Sequence, residues 1–220
     1  MPLEVITVET APQASASIII LHGLGADGRD FVPVAHEWDL ASVGPVRFLF
    51  PSAPTRPVTI NGGYVMRAWY DILGTDLVQR EDAAGLRESQ AQVAALIEHE
   101  RKRGIPAARI VLGGFSQGAA MTLMTGLRHA ERLAGLLCMS GYLPLAAQLS
   151  AERSAANAGV PIFQGHGHAD PVIAIARATA SRDALTALGY PVEWHAYPMQ
   201  HSVCPREIAD INRWLLRVLA

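Results

Sequence analysis

The chain has few of the features that mark secreted, membrane or disulfide-rich proteins. It contains two cysteines, Cys138 and Cys204, in different sequence contexts. Two cysteines are too few for a disulfide framework, so we expect two free thiols in a reducing compartment. No apolar run approaches the roughly 18 residues that cross a bilayer, and we expect no secretory signal peptide. These absences predict a cytoplasmic protein with no integral membrane segment.

The charge of the chain is small and evenly spread. Eighteen basic and twenty acidic residues give a formal net charge of -2, and neither sign forms a block. This balance gives no electrostatic footprint for nucleic acid or an anionic membrane surface. Half of the 220 residues are hydrophobic, enough for one sizeable core, so we expect a single domain over residues 1–220.

Short apolar runs that end in Gly, Pro or Ser alternate with helical patterns. The runs are SIIILHG, VRFLFPSAP, RIVLGGFS, LAGLLCMSG, VPIFQGHG and VEWHAYPM, and LEVITV adds a candidate edge strand. Their nearly continuous apolar character is typical of strands buried on both faces. Helical periodicity or helix-stop signals predict helices over 83–103, 172–188 and 205–219. The alternation predicts an α/β fold with a mainly parallel sheet of about six to seven strands and helices on both faces, with its site beyond the carboxyl ends of the strands.

The segment 51–82 interrupts this alternation and is predicted to be a long irregular loop. A loop of that length is usually functional or disordered, and its aromatic and apolar content argues against disorder. Trp69 and Tyr70 are therefore either core residues or the wall of a substrate pocket, and we favour the pocket wall.

Two motifs suggest cofactor or metal chemistry. HGLGADG carries G-x-G-x-x-G, but no acidic residue occurs between Asp39 and Asp71 to hold a ribose, which argues against a dinucleotide site. HGHAD places His166, His168 and Asp170 at alternate positions, and His22 with His201 would complete a metal site. A metal-dependent hydrolase therefore stays an alternative. Activity that disappears with a chelator and returns with zinc would support it. His22 fits better as a residue that orients its loop.

The stretch GGFSQGAAM explains more residues than either motif. Gly114 to Gly118 match G-x-S-x-G, the nucleophile elbow, between an apolar strand and a helical run. Elbow hydrolases carry serine, acid and histidine in that chain order. Asp170 and His201 follow Ser116 in this order, each just past a predicted strand. We therefore predict a catalytic triad of Ser116, Asp170 and His201.

The chemistry of acyl transfer assigns a role to each residue. Ser116 attacks, His201 accepts and returns its proton, and Asp170 orients the imidazole and stabilises its charged form. The oxyanion needs two donors, which we assign to the backbone N–H groups of Gln117 and Leu24. The glycines of HGLGADG would then allow the backbone to approach the reacting carbonyl closely.

Six segments together resemble one known family. LHGLGADG, MRAWYDI, GGFSQGAAM, MSGYLP, HGHADPVI and MQHSV are similar to motifs of the small carboxylesterase, lysophospholipase and acyl-protein thioesterase family of α/β-hydrolases. The resemblance spans nearly the whole chain and implies the same triad and the same oxyanion donors. It also implies a single-domain enzyme without a cofactor, and several such enzymes form dimers. His168 departs from the family pattern.

These observations lead to a functional prediction. We expect a serine carboxylesterase that hydrolyses short- to medium-chain acyl esters through an acyl-enzyme. The alternative is an acyl-protein thioesterase or lysophospholipase that acts on long acyl chains; a peptidase or a non-catalytic binding module explains the residues less well. The predicted substrate pocket is lined by Met66, Trp69, Leu73 and Leu143.

Overall fold

A computed structural model describes residues 3–74 and 80–220. Its centre is a seven-stranded sheet of β1 (Glu4–Glu9), β2 (Ala16–Leu21), β3 (Val46–Ser52), β6 (Ile110–Phe115), β7 (Gly135–Met139), β8 (Ile162–Gly167) and β9 (Val192–Tyr197). The order of these strands across the sheet is β1-β3-β2-β6-β7-β8-β9. β1 pairs antiparallel with β3, and every other pair in this sheet is parallel. The predicted mainly parallel sheet, with LEVITV as an edge strand, is confirmed.

Six α-helices occur in the described residues. They are α1 (Val32–Ala35), α2 (Ala83–Lys102), α3 (Gln117–Gly126), α4 (Ala146–Glu152), α5 (Ile175–Ala187) and α6 (Pro205–Val218). Alternate residues of β2 point to opposite faces, so Ile19 packs in the core layer that holds α2 and α3, and Ile18 packs in the layer that holds α6. Helices therefore cover both faces of the sheet, as predicted. None of the helices in 3–74 and 80–220 is long and apolar enough to cross a membrane.

The segment 51–82 contains regular structure that the sequence did not predict. β4 (Thr55–Val58) and β5 (Tyr64–Arg67) pair as an antiparallel hairpin separate from the main sheet. Gly62 and Gly63 take positive φ angles in its loop, a conformation that suits glycine. Part of the segment, 75–79, lies outside the described residues.

Helix α5 begins at Ile175, three residues later than predicted. The preceding residues have another use, because the backbone N–H groups of Val172 and Ile173 both donate to Asp170 Oδ1. A side chain that binds backbone two and three residues ahead holds that backbone in a turn. The turn delays the helix and fixes the acid at the same time.

A carboxyl group, that of Glu207, is buried against strand β8. Glu207, in the first turn of α6, is fully buried, and a Cβ built on Gly165 would lie 2.1 Å from Glu207 Oε1. Burial raises the pKa of Glu207 to about 8; the backbone N–H of Cys204 opposes the rise and nearby Asp210 adds to it. The surroundings of Glu207 therefore favour its protonated, neutral form.

This burial predicts a pH-dependent stability. A carboxyl that keeps its proton to about pH 8 when folded, against about 4.5 when unfolded, stabilises the fold most below pH 4.5 and loses that contribution as pH rises to about 8. The variant Glu207→Gln should abolish a loss in the free energy of unfolding on the order of 5 kcal/mol across this window. Urea unfolding at several pH values measures it, with exposed Asp183→Asn as the control. If the free energy of unfolding of Glu207→Gln fell with pH as steeply as that of the unmodified protein, the raised pKa of Glu207 would be contradicted.

Candidate active site

The turn between β6 and α3 presents Ser116 in a strained conformation. Ser116 has φ 56° and ψ -116°, outside the regions that non-glycine residues normally occupy. The turn is possible because its flanking glycines leave room: a Cβ on Gly114 would lie 2.4 Å from the carbonyl carbon of Gly118, and one on Gly118 would lie 2.1 Å from Leu21 O. The strain and both close approaches are those of a nucleophile elbow.

The three residues predicted as a triad lie in hydrogen-bonding contact. His201 Nε2 is 2.8 Å from Ser116 Oγ, and His201 Nδ1 is 2.6 Å from Asp170 Oδ2. A carboxylate only accepts, so Nδ1 carries the proton and donates it to Asp170, which leaves Nε2 to accept from the Ser116 hydroxyl. The arrangement brings together residues from the ends of β6, β8 and β9, and it can deprotonate a serine.

Asp170 is held from several sides. Two backbone N–H groups donate to its Oδ1, both at 2.8 Å. His166 Nε2 lies 3.3 Å from Asp170 Oδ2 and 2.7 Å from Ile173 O. Burial lowers the pKa of His166, which favours a neutral ring that donates through Nε2. Both contacts fix the turn that carries the acid.

The HGHAD motif does not assemble a metal-ligand cluster. The side chain of His166 points to Ile173 O, whereas His168 is exposed. Among the described residues, no group of three or more His, Cys, Asp or Glu side chains is placed to hold a metal ion. The histidine that departs from the family pattern thus faces solvent.

The predicted oxyanion donors lie in the loop after β2 and at the start of α3. Leu24, Gln117 and Ser116 line one cavity, and a Cβ on Gly23 would lie 3.4 Å from Ser116 Cβ. Gln117 is the first residue of α3, where a helix leaves its N–H groups without helical acceptors. The predicted donors, Leu24 and Gln117, thus line the same cavity as the serine.

His22 orients this loop, as the sequence suggested. Its Nε2 accepts from Ala53 N at 2.9 Å, and its Nδ1 donates to Gly23 O at 2.7 Å. Burial lowers the pKa of His22 and favours the neutral ring that this bonding requires. His22 thus ties the end of β2 to the strand beside it.

Trp69 is a core residue and not a pocket wall. It is fully buried; its Nε1 donates to His22 O at 2.9 Å, and its backbone N donates to Gln117 Oε1 at 2.7 Å. Gln117 Nε2 in turn donates to Tyr70 O at 2.8 Å. Trp69 therefore links the two predicted oxyanion elements, and the interpretation of it as a substrate contact is corrected. Its indole N–H needed a buried acceptor, which sequence alone does not reveal.

The cavity beside Ser116 has a volume of about 360 Å³ and a lining different from the one predicted. Its apolar and aromatic walls are Ile60, Tyr70, Ile72, Tyr142, Pro171, Val172 and Ile173. Met66, Leu73 and Leu143 are not among the lining residues, and Leu143 is buried in the core. The missed residues lie next to predicted ones in the chain: Ile72 precedes Leu73, and Tyr142 precedes Leu143. The error was in side-chain direction.

Comparisons with known proteins agree with this geometry. The sequence pattern of the phospholipase/carboxylesterase family matches residues 3–219. This chain belongs to that family. It is therefore a hydrolase with the α/β-hydrolase fold.

Relatives within the family cover nearly the whole chain. Acyl-protein thioesterase 1 of Neurospora crassa is 40% identical over 217 residues, which are 94% of this chain and 89% of that protein. Acyl-protein thioesterase 1 of Yarrowia lipolytica is 37% identical, with 97% of this chain and 96% of that protein covered. The crystal structure of Zea mays acyl-protein thioesterase 2 is similar with a TM-score of 0.83 and 30% identity, covering 98% of this chain and 99% of that one.

The bonding of Trp69 predicts how its loss affects the hydrolase. Trp69→Phe removes the donor to His22 O, so kcat should fall roughly three- to tenfold by an equal factor on short- and long-chain substrates. Trp38→Phe is the matched control, since buried Trp38 Nε1 has no hydrogen-bond partner among the described residues. A fall in kcat for substrates of only one acyl-chain length would instead indicate that Trp69 contacts the substrate.

Proposed function

We propose that this hydrolase cleaves long-chain acyl thioesters on cysteine, through an acyl-enzyme formed on Ser116. The observation that carries the proposal is an apolar cavity whose lining includes the elbow serine, Leu24 and Gln117. The names of the relatives, acyl-protein thioesterases from two fungi and a plant, support the same substrate class. They favour the long-chain alternative over the short-chain carboxylesterase that the sequence predicted first.

The reaction follows from the hydrogen-bond chain. Ser116 Oγ attacks the acyl carbonyl carbon while His201 Nε2 takes its proton, and Asp170 stabilises the imidazolium. The carbonyl oxygen gains the negative charge and accepts hydrogen bonds from the N–H groups of Leu24 and Gln117. The carbon–sulfur bond then breaks, and the sulfur leaves with the proton from His201. Water, activated by the same histidine, hydrolyses the acyl-enzyme.

A thiol is a favourable leaving group for this machinery. The ordinary pKa of cysteine is about 8.5, far below that of an alcohol, so departure of sulfur needs less help from the general acid. Esters of alcohols depend more on proton donation by His201. The same triad thus hydrolyses both classes, and binding of the acyl chain decides which substrates enter.

The cavity suits an acyl chain for two reasons. Its volume falls within the usual range for ligand sites, and aliphatic and aromatic side chains dominate its walls. Two of its lining residues, Ile60 at 43% and Val172 at 64%, are exposed at the mouth. Each buried methylene contributes about 0.8 kcal/mol. A chain that fills the cavity and continues over this apolar rim gains binding energy with each added methylene.

The role of the serine gives the most direct test. Ser116→Ala should lower turnover of an S-acyl-cysteine substrate by roughly 10⁴- to 10⁶-fold, because no other group forms the acyl-enzyme. An organophosphonate should label the unmodified protein and not the variant. Residual turnover within tenfold of the unmodified enzyme would overturn the serine mechanism.

The cavity beside Ser116, the proposed acyl cavity, gives a second prediction. Ile72→Phe narrows a lining position, so it should lower kcat/KM for sixteen-carbon thioesters at least tenfold more than for four-carbon thioesters. Leu73→Phe is the matched control because Leu73 does not line the cavity. The measurement is a rate profile over acyl length on thioesters and the corresponding esters. A profile that peaks at two to six carbons in the unmodified enzyme would support the short-chain carboxylesterase instead.

A further inference from the structure

A second cavity lies on the other side of the triad from the acyl cavity. It has a volume of about 290 Å³, and its lining includes Asp30, Phe31, Val34, Phe115 and His201. The acyl cavity reaches Ser116 and does not include His201, whereas this cavity reaches His201 and does not include Ser116. The hydrogen-bonded pair of Ser116 and His201 therefore separates two cavities.

The proposed reaction needs space on the side of His201. The departing sulfur receives the proton that His201 Nε2 took from Ser116, so the leaving group must lie against this ring at the moment of cleavage. With the acyl chain in the cavity beside Ser116, the remaining side of the reacting carbon faces His201. The cavity at His201 is thus positioned for the leaving group.

The charges around this cavity do not cancel. Asp27 pairs with Arg29 at 3.0 Å, and Arg67 pairs with Glu4 at 2.8 Å. Within the part of the chain that the structure describes, the carboxylate of Asp30 has no ion-pair partner. One negative charge therefore remains at the cavity mouth after the neighbouring charges are paired.

The walls of the cavity are mainly apolar and aromatic. The rings of Phe31 and Phe115 lie with centroids 5.8 Å apart, and Phe115 lies 4.8 Å from the ring of His201. Aromatic faces attract cations, and the alkyl stem of a lysine or arginine packs on apolar surface while its charged end reaches a carboxylate. Asp30 and the two phenylalanines together present both features.

From this geometry we propose that the cavity at His201 is a leaving-group subsite that selects acylated cysteines with a lysine or arginine beside them in the chain. The inference rests on the proposed thioesterase function. A choline lysophospholipid also carries a cationic group, but it is zwitterionic, and its phosphate lies close to the scissile ester, where the charge of Asp30 would repel it. The geometry therefore favours a basic peptide segment over a lysolipid.

The test uses peptides that share one S-octanoyl-cysteine and differ in the neighbouring residue: lysine, acetyl-lysine or glutamate. The unmodified enzyme should show kcat/KM about three- to fivefold higher for lysine than for acetyl-lysine at low salt, the range expected for one exposed charge pair. Glutamate should be the poorest. The preference should shrink in 0.5 M NaCl because salt screens an exposed pair.

Variants assign the preference to a residue. Asp30→Asn should reduce the lysine to acetyl-lysine ratio to about one, and Asp30→Lys should invert it. Glu37→Gln is the matched control, since it removes an exposed charge nearby without lining the cavity, and it should keep the ratio. Phe31→Ala should lower kcat/KM for the lysine peptide through KM.

The outcomes separate this inference from the proposed function. If no peptide is hydrolysed, or if Ser116→Ala is as active as the unmodified enzyme, the thioesterase function itself fails. If all three peptides are hydrolysed equally, or if Asp30→Asn keeps the lysine preference, the function stands and the leaving-group subsite is overturned. Faster hydrolysis of lysophosphatidylcholine than of the lysine peptide would also overturn the peptide assignment.

Discussion

The packing of Gly118 against the carbonyl of Leu21 is the contact on which the site depends. With no side chain at Gly118, the first turn of α3 lies directly on the end of β2, and a Cβ there would meet Leu21 O at 2.1 Å. This approach sets the sharp turn that forces Ser116 to its positive φ. It also brings the N-terminus of α3 beside the loop after β2. One close contact thus positions the serine and brings together the two segments that carry the proposed oxyanion donors.

Buried hydrogen bonds then keep these elements in place. His22 binds Ala53 N and Gly23 O, Trp69 binds His22 O, and Gln117 binds backbone of residues 69 and 70. The bonded atoms are buried, and an unpaired polar atom in that setting costs about 1–3 kcal/mol. The irregular segment after β3 is therefore part of the catalytic scaffold. Residues 69 and 70 of this segment are hydrogen-bonded to Gln117, and Trp69 also binds His22. Of the two, only Tyr70 lines the acyl cavity.

The fold and the positions of the polar site residues could be predicted because each left a local signal. The apolar runs fix strands buried on both faces, and the elbow needs glycine on either side of Ser116. Asp170 and His201 follow strands, and parallel strands bring their carboxyl ends to one edge. The hairpin of β4 and β5 left a weaker signal, since its pairing is outside the main sheet and the start of β5, at Tyr64 and Val65, is exposed.

The sequence by itself determined the strands of the main sheet, the longer helices, the elbow and the chain order of serine, acid and histidine, because these depend on local backbone geometry and on residue type. Only the tertiary structure decided which apolar side chains line the cavity beside Ser116. Ile72 and Leu73 are equally apolar neighbours, yet only Ile72 lines the cavity, and of the neighbours Tyr142 and Leu143 only Tyr142 does. Their directions are set by packing against distant elements, which periodicity does not encode in an irregular segment. The second cavity, with Asp30 on its lining, likewise exists only where α1, β6 and the loop after β9 meet.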